Sequence, residues 1–132
     1  MRGFDTNVLV RYLVKDDPAQ AVAVDRVIAE AVASDEAVYL NQIVLCEAVW
    51  VLGSGYGYER DTVAEAVEKL LLTQQFEVEG RESVWRALGR FRQGRADLAD
   101  YLIGERNRAA GCGRTSTFDQ GLEGEEGFEL LA

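Results

Sequence analysis

Five acidic residues stand where their type and spacing could do chemistry: Asp5, Glu47, Asp97, Asp100 and Asp119. The chain of 132 residues contains no histidine and only two cysteines, Cys46 and Cys112. Histidine-based acid/base catalysis, Ser-His and Cys-His nucleophiles and histidine–metal sites are therefore excluded. Two distant thiols cannot build a thiolate zinc site or a disulfide framework. Any chemistry must run on carboxylates, hydroxyls, arginines and a hard metal ion.

Each acid has a local explanation and a chemical one. Glu47 sits in Ile43-Val44-Leu45-Cys46-Glu47-Ala48-Val49-Trp50-Val51, a helix that is apolar on every side and is expected to be buried on every side. A carboxylate there must pair with an arginine, reach a solvent rim or hold a cation, because an unpaired buried charge costs on the order of several kcal/mol. Asp97 and Asp100 are spaced like a capping box, and acids suit the positive end of a helix. That accounts well for Asp97 and in part for Asp100. Gly104 lies one turn later, where glycine costs about 1 kcal/mol relative to alanine, so a close backbone approach is expected. Asp5 can cap a helix and Asp119 can close an Asx turn.

The length fits one domain, residues 1–132. Apolar residues at 48% and charged residues at 28% exclude a disordered chain. No apolar stretch approaches the roughly 20 residues of a membrane helix, no leader pattern is readable at the N-terminus, and a cytoplasmic location is expected. The net charge of −9 excludes general polyanion binding by the whole chain. Its distribution is uneven: residues 81–114 hold eight of the twelve arginines and carry a local +4. That segment reads either as a phosphate-facing patch or as an ordinary solvated helix surface.

Elements of both kinds must position these acids. Met1–Phe4 reads as a strand, followed by a helix from near Asn7 to Val14. Pro18 opens a helix carrying Val24, Val27, Ile28 and Ala31 at helical spacing. Ala37–Leu40 is a strand, and Asn41 caps a helix expected to end at Leu52, before the Gly53–Gly57 cluster. A helix with Val63, Val67, Leu70 and Leu71, a strand at Phe76–Val78 and a helix ending near Gly94 follow. The next helix runs from Leu98 to Ala110, with Gly111 past its end, and strands at Arg114–Phe118 and Phe128–Leu131 complete the chain.

Strands alternating with helices predict an α/β fold, a mostly parallel sheet covered on both faces. Ligands in such folds sit beyond the carboxyl ends of the strands. Asp5 and Asp119 each follow a strand and fall on that edge. Carboxylates gathered there would repel one another unless a divalent cation neutralised them, and oxygen-only donors select Mg2+ or Mn2+.

At this point the motifs resemble a known family. Asp5-Thr6-Asn7 after a short strand is similar to the opening of PIN-domain nucleases, particularly the VapC-type toxins of toxin–antitoxin pairs. Ile43-Val44-Leu45-Cys46-Glu47 with Trp50-Val51-Leu52 resembles the second-acid helix, Ala99-Asp100-Tyr101-Leu102-Ile103 the third motif and Thr117-Phe118-Asp119 the fourth. The resemblance implies a PIN-like three-layer sandwich with strand order 3-2-1-4-5. It implies Asp5, Glu47, Asp100 and Asp119 as catalytic, metal-holding acids, with Asp97 as a fifth candidate. Thr6, Asn7 and Thr117 are the candidates for orienting the carboxylates. The implied activity is Mg2+- or Mn2+-dependent endoribonucleolytic hydrolysis of RNA, leaving a 5′-phosphate and a 3′-hydroxyl. The implied partners are an antitoxin protein and a second copy of the chain, with Trp50, Tyr56, Tyr58, Trp85 and Phe91 as candidate apolar contacts.

Two other classes stay open on the residues alone. A receiver or phosphatase domain also gathers acids at a sheet edge, but a phosphatase of the aspartyl-phosphate type wants a second Asp where Asn7 stands. A receiver wants a late lysine, whereas Lys15 and Lys69 are the only two. A non-catalytic module whose acidic cleft captures a basic partner is the third possibility.

Overall fold

Asp5, still extended two residues past the first strand, turns the chain into a helix with its side chain. It accepts a hydrogen bond at 3.0 Å from the Val8 N–H and so starts a helix. The computed structural model describes all residues, Met1–Ala132, and falls into two compact units, Met1–Arg81 and Glu82–Ala132.

The first unit opens with β1 (Arg2–Gly3), α1 (Thr6–Leu13), α2 (Pro18–Ala33) and β2 (Val38–Leu40). It continues with α3 (Gln42–Trp50), a π-helical turn (Val51–Gly55), α4 (Arg60–Leu72) and β3 (Phe76–Val78). Short polar side chains set the helix starts: Asp17 accepts from the Gln20 N–H before Pro18, and Asn41 accepts from the Val44 N–H at 2.9 Å. β2 lies between β1 and β3, both pairings parallel, with Arg2 opposite Val38 and Val38 opposite Phe76. The core gathers Leu9, Val38, Leu40, Leu45, Leu52, Val67 and Leu70, all essentially inaccessible to solvent. Phe76 adds edge-to-face contacts with Phe4 and Tyr12, at 6.0 and 5.1 Å between ring centres.

The helix expected to stop at Leu52 behaves differently. α3 proper ends at Trp50, and the chain then passes through the glycine cluster as a wider turn, in which the Tyr56 N–H reaches the Val51 carbonyl at 3.1 Å. Arg11 fixes this turn's end by donating to the Tyr56 hydroxyl and to Asp16, both at 2.9 Å.

The second unit is built from α5 (Arg81–Gln93), which begins at the junction, then α6 (Leu98–Ala109), β4 (Thr115–Thr117), a 3-10 turn (Gln120–Leu122) and β5 (Phe128–Leu130). β4 and β5 pair in parallel, Thr115 opposite Phe128. Gly111, with φ of +101°, follows the α6 cap residue Ala110 in a conformation that disfavours a side chain. The close approach expected at Gly104 is present: a Cβ there would lie 2.6 Å from Cζ of Phe128. Glycine is needed because an aromatic ring occupies the space.

Tyr101 is the largest fully buried side chain of this unit. Its hydroxyl accepts from the Ala96 N–H and donates to Glu125, each at 3.4 Å. The Arg90 guanidinium lies 5.4 Å from the ring centres of both Tyr101 and Phe128. Glu105 is the one buried carboxylate, held by Arg86 at 3.0 Å and by Arg90 at 3.8 Å.

Fold class thus follows the sequence reading: an α/β chain with six helices and parallel strands. The hydrogen-bonded ladders are a three-stranded sheet, β1-β2-β3, and a two-stranded sheet, β4-β5. They supply the 3-2-1 and 4-5 pairings of the expected order as two separate sheets. No helix is long and apolar enough to cross a membrane.

Candidate functional site

In the first unit, one hydroxyl ties the Glu47 carboxylate to the residue that follows Asp5. Asp5 is exposed at the carboxyl end of β1, with one carboxylate oxygen engaged by the Val8 N–H. The next residue, Thr6, donates from its hydroxyl to Glu47 at 3.0 Å. The turn after β1 thereby holds the Glu47 carboxylate of α3 against the start of α1. Asn7, the third residue of the motif, is exposed.

Glu47 is not buried, and the expectation of a helix enclosed on all sides fails here. Its face of α3 is open to solvent: Ile43 is 73% exposed and Trp50 63% exposed, one turn before and one turn after Glu47. The opposite face, with Val44, Leu45 and Ala48, enters the core. The apolar sequence hid the distinction, because both faces carry large hydrophobic side chains. Glu47 needs no arginine partner, since water and the Thr6 hydroxyl solvate it.

In the second unit, Asp97 and Asp100 form the helix start that their spacing suggests. The Asp97 N–H donates to the Asp100 carboxylate at 3.2 Å, and the Asp100 N–H to the Asp97 carbonyl at 3.0 Å. Asp97 is exposed and Asp100 half-buried. Burial pushes the Asp100 carboxyl above the usual aspartate range; the Asp97 N–H opposes that shift, and the negative charges of Asp97 and Asp119 reinforce it. Asp119 is exposed and closes the expected Asx turn, accepting from the Gly121 N–H at 2.8 Å. Thr117 accepts from the Asp119 N–H at 3.0 Å, so it fixes the backbone that carries Asp119 rather than the carboxylate itself.

Asp100 and Asp119 are therefore close enough for one charge to act on the other, and Thr6 brings Glu47 to the Asp5 turn. Within either unit alone, no three acids or thiols converge on a point suited to a metal ion. Four of the acids are exposed and Asp100 is half-buried, and none of the five lines the cavity of about 290 Å3 in the second unit, which is bordered by Arg90, Arg108, Cys112, Glu126 and Phe128, among others. The two cysteines, Cys46 half-buried and Cys112 exposed, form no disulfide.

Two features escaped the sequence reading. That Ile43 and Trp50 share an exposed face with Glu47 was hidden by the uniform hydrophobicity of α3, although Trp50 itself stood among the candidate contacts. Glu105 was legible: it falls one turn after Tyr101 on the face that carries Leu98 and Leu102 into the core. Of the aromatic residues singled out as surface contacts, Phe91 is buried, whereas Trp50 and Tyr58 are exposed.

A family model described as PIN domain matches residues 4–123. No curated protein and no solved structure matches the chain significantly.

Proposed function

Since the chain belongs to the PIN domain family, whose members are in general metal-requiring nucleases, we propose that it is a Mg2+- or Mn2+-dependent endoribonuclease acting through Asp5, Glu47, Asp100 and Asp119, with Asp97 as an additional acid. The observation that carries this reading is the Thr6–Glu47 hydrogen bond. It links the first two family motifs at the carboxyl end of a parallel strand, where open α/β sheets present their ligands. The match spans both units, which supports treating residues 1–132 as one PIN-like domain with the strand order 3-2-1-4-5.

The donor set fits a hard divalent ion: it is oxygen-only, lacks imidazole, and is drawn from short side chains at helix starts and strand ends. The chemistry such an ion supplies is activation of water and neutralisation of charge on the phosphate. The chain's own residues prepare for it. Thr6 keeps its hydroxyl proton on Glu47 and leaves the second carboxylate oxygen open. The Asp97 N–H takes one oxygen of Asp100, and the Gly121 N–H one oxygen of Asp119. These hydrogen bonds fix the carboxylates before substrate arrives.

The same proposal gives the protein the role of toxin in a toxin–antitoxin pair, with an antitoxin protein and a second copy of the chain as partners and the cytoplasm as its place. The order and spacing of the four motifs support it, and two cysteines outside any disulfide suit a reducing compartment.

The test is cleavage of structured RNAs, transfer RNAs included, by the purified chain with Mg2+ or Mn2+ and with EDTA. Cleavage that disappears with EDTA is expected; cleavage that survives EDTA, or folded protein that binds metal and cuts none of the panel, counts against the reading. A second expectation concerns Thr6→Val, which keeps shape and removes the hydroxyl. Turnover should fall roughly 10- to 100-fold, the usual cost of losing a group that orients a ligand. Thermal melts should barely move, and an unchanged turnover would remove Thr6 from the machinery.

A further inference from the structure

We infer that Trp50 is a stacking platform for an unpaired base of the RNA strand, set one helical turn from the Glu47 carboxylate; this rests on the nuclease reading. Tryptophan is among the side chains most heavily buried on average, yet Trp50 keeps 63% of its surface in water. It does so on the helix face that carries Glu47, which residues three apart share. The chain leaves the surroundings open. Helical geometry changes immediately after Trp50, where α3 widens into the π-helical turn Val51–Gly55, and such turns frequently occur at functional sites. Gly53 and Ser54 are exposed, and a Cβ added at Gly53 would touch nothing within 4 Å.

Three occupants could cover an exposed indole here: a base, a second copy of the chain or the proposed antitoxin. The surface favours the base. The apolar stripe is only two large side chains, Ile43 and Trp50, and the charged Glu47 lies between them. A stable protein interface, with an antitoxin as with a second copy, buries roughly 800 Å2 per partner and excludes charges from its centre. Two copies meeting on this face would desolvate both Glu47 carboxylates, with like charges opposed. A base asks for less: one flat π-face reachable from a backbone held at the acids. Single-stranded RNA is read in this way, by unstacked bases laid on aromatic side chains, whereas a base inside a duplex is not available to the ring. The platform therefore selects for loops and single strands, and any base can use it.

The experiment compares Trp50→Leu, which keeps apolar bulk without a π-face, and Trp50→Phe with the parent chain. Single-stranded and duplex RNA of the same length are the probes. Titrations use the Asp100→Asn background with Trp85→Phe, so that emission reports Trp50 alone and no strand is cut. Single strands should quench Trp50 emission and duplex should not. Trp50→Leu should weaken single-strand binding roughly 5- to 100-fold, the range for losing one base–aromatic stack; Trp50→Phe should retain most of it. In cleavage assays of the otherwise native chain, KM should rise with little change in kcat. Equal binding by Trp50→Leu and parent, or no quench by any single strand, overturns the proposal. So does a loss of dimer mass with Trp50→Leu, which would assign the face to a second copy. Failure of the nuclease reading looks different: the chain with all five acids would cut no RNA, while the titration would still decide the role of Trp50.

Discussion

Replacing Asp100 with asparagine is expected to reduce RNA cleavage by roughly 10³-fold or more, as for loss of one member of a catalytic set that acts as a unit, while leaving the fold in place. Asparagine keeps an oxygen for the Asp97 N–H, so the start of α6 survives. What it removes is charge. Burial and the neighbouring charges of Asp97 and Asp119 raise the Asp100 pKa above its ordinary value. Between the unfolded and the folded value, the folded chain then holds more protons than the unfolded one. Stability from this group is thus present at low pH and declines as pH rises through that window. At neutral pH the ionised carboxylate is a net cost. Melts in EDTA should place Asp100→Asn level with the parent or slightly above it at pH 7, and that advantage should vanish at pH values below the ordinary aspartate pKa. Cleavage within tenfold of the parent would remove Asp100 from the site.

The second large effect is expected from a single methyl group. A Cβ on Gly94 would stand 1.8 Å from the Tyr101 hydroxyl oxygen and 2.8 Å from Cζ. Replacing glycine by alanine at an unstrained position normally stabilises by about 0.4–1 kcal/mol, through the unfolded chain. Gly94 has an ordinary negative φ, so that gain is available. The clash outweighs it, because the Tyr101 ring is fully buried and cannot swing away. Gly94→Ala should destabilise by about 2–3 kcal/mol, in the range for overpacking a filled core, which lowers the melting temperature by roughly 10 °C. Tyr101→Phe removes the nearer atom, so the double variant should be more stable than the sum of the two single changes. If Gly94→Ala melts with the parent, the loop does not need its glycine. The loop also leads directly into Asp97 and Asp100, so a shifted Gly94 should weaken cleavage as well.

Local chemistry made much of this structure legible in the sequence. Asp5, Asp17 before Pro18 and Asn41 each start a helix where their side chains can reach a free N–H, and the Asp100 side chain reaches back to the Asp97 N–H, each an interaction spanning three residues. The steric demand at Gly104 could be read from the cost of glycine in a helix, although not that Phe128 imposes it. Properties set by distant residues were hidden. Nothing in Ile43–Val51 says which apolar face meets the core, so the solvent exposure of Glu47 and Trp50 had to come from the structure. The glycines after Trp50 read as a stop, yet the chain keeps its carbonyls paired there by lengthening the hydrogen-bond reach by one residue. The acids themselves stood out by type and position; the Thr6 link between Asp5 and Glu47 came from a 41-residue separation that no local pattern encodes.

Glu105 has a thermal consequence. Its carboxylate is buried against Arg86 and Arg90, whereas ion pairs such as Lys15–Asp25 in the first unit lie in the open. Added salt screens the open pairs within a Debye length and weakens the Glu105 pairs less, because that carboxylate is buried even though Arg86 stays half in solvent. Warming acts differently, because hydration of charged groups weakens as temperature rises and the desolvation cost of Glu105 falls with it. The three-residue ion cluster is therefore worth least in the cold. The second unit, home of Asp97, Asp100 and Asp119, leans on an interaction that strengthens in brine and in heat relative to the surface pairs of the first.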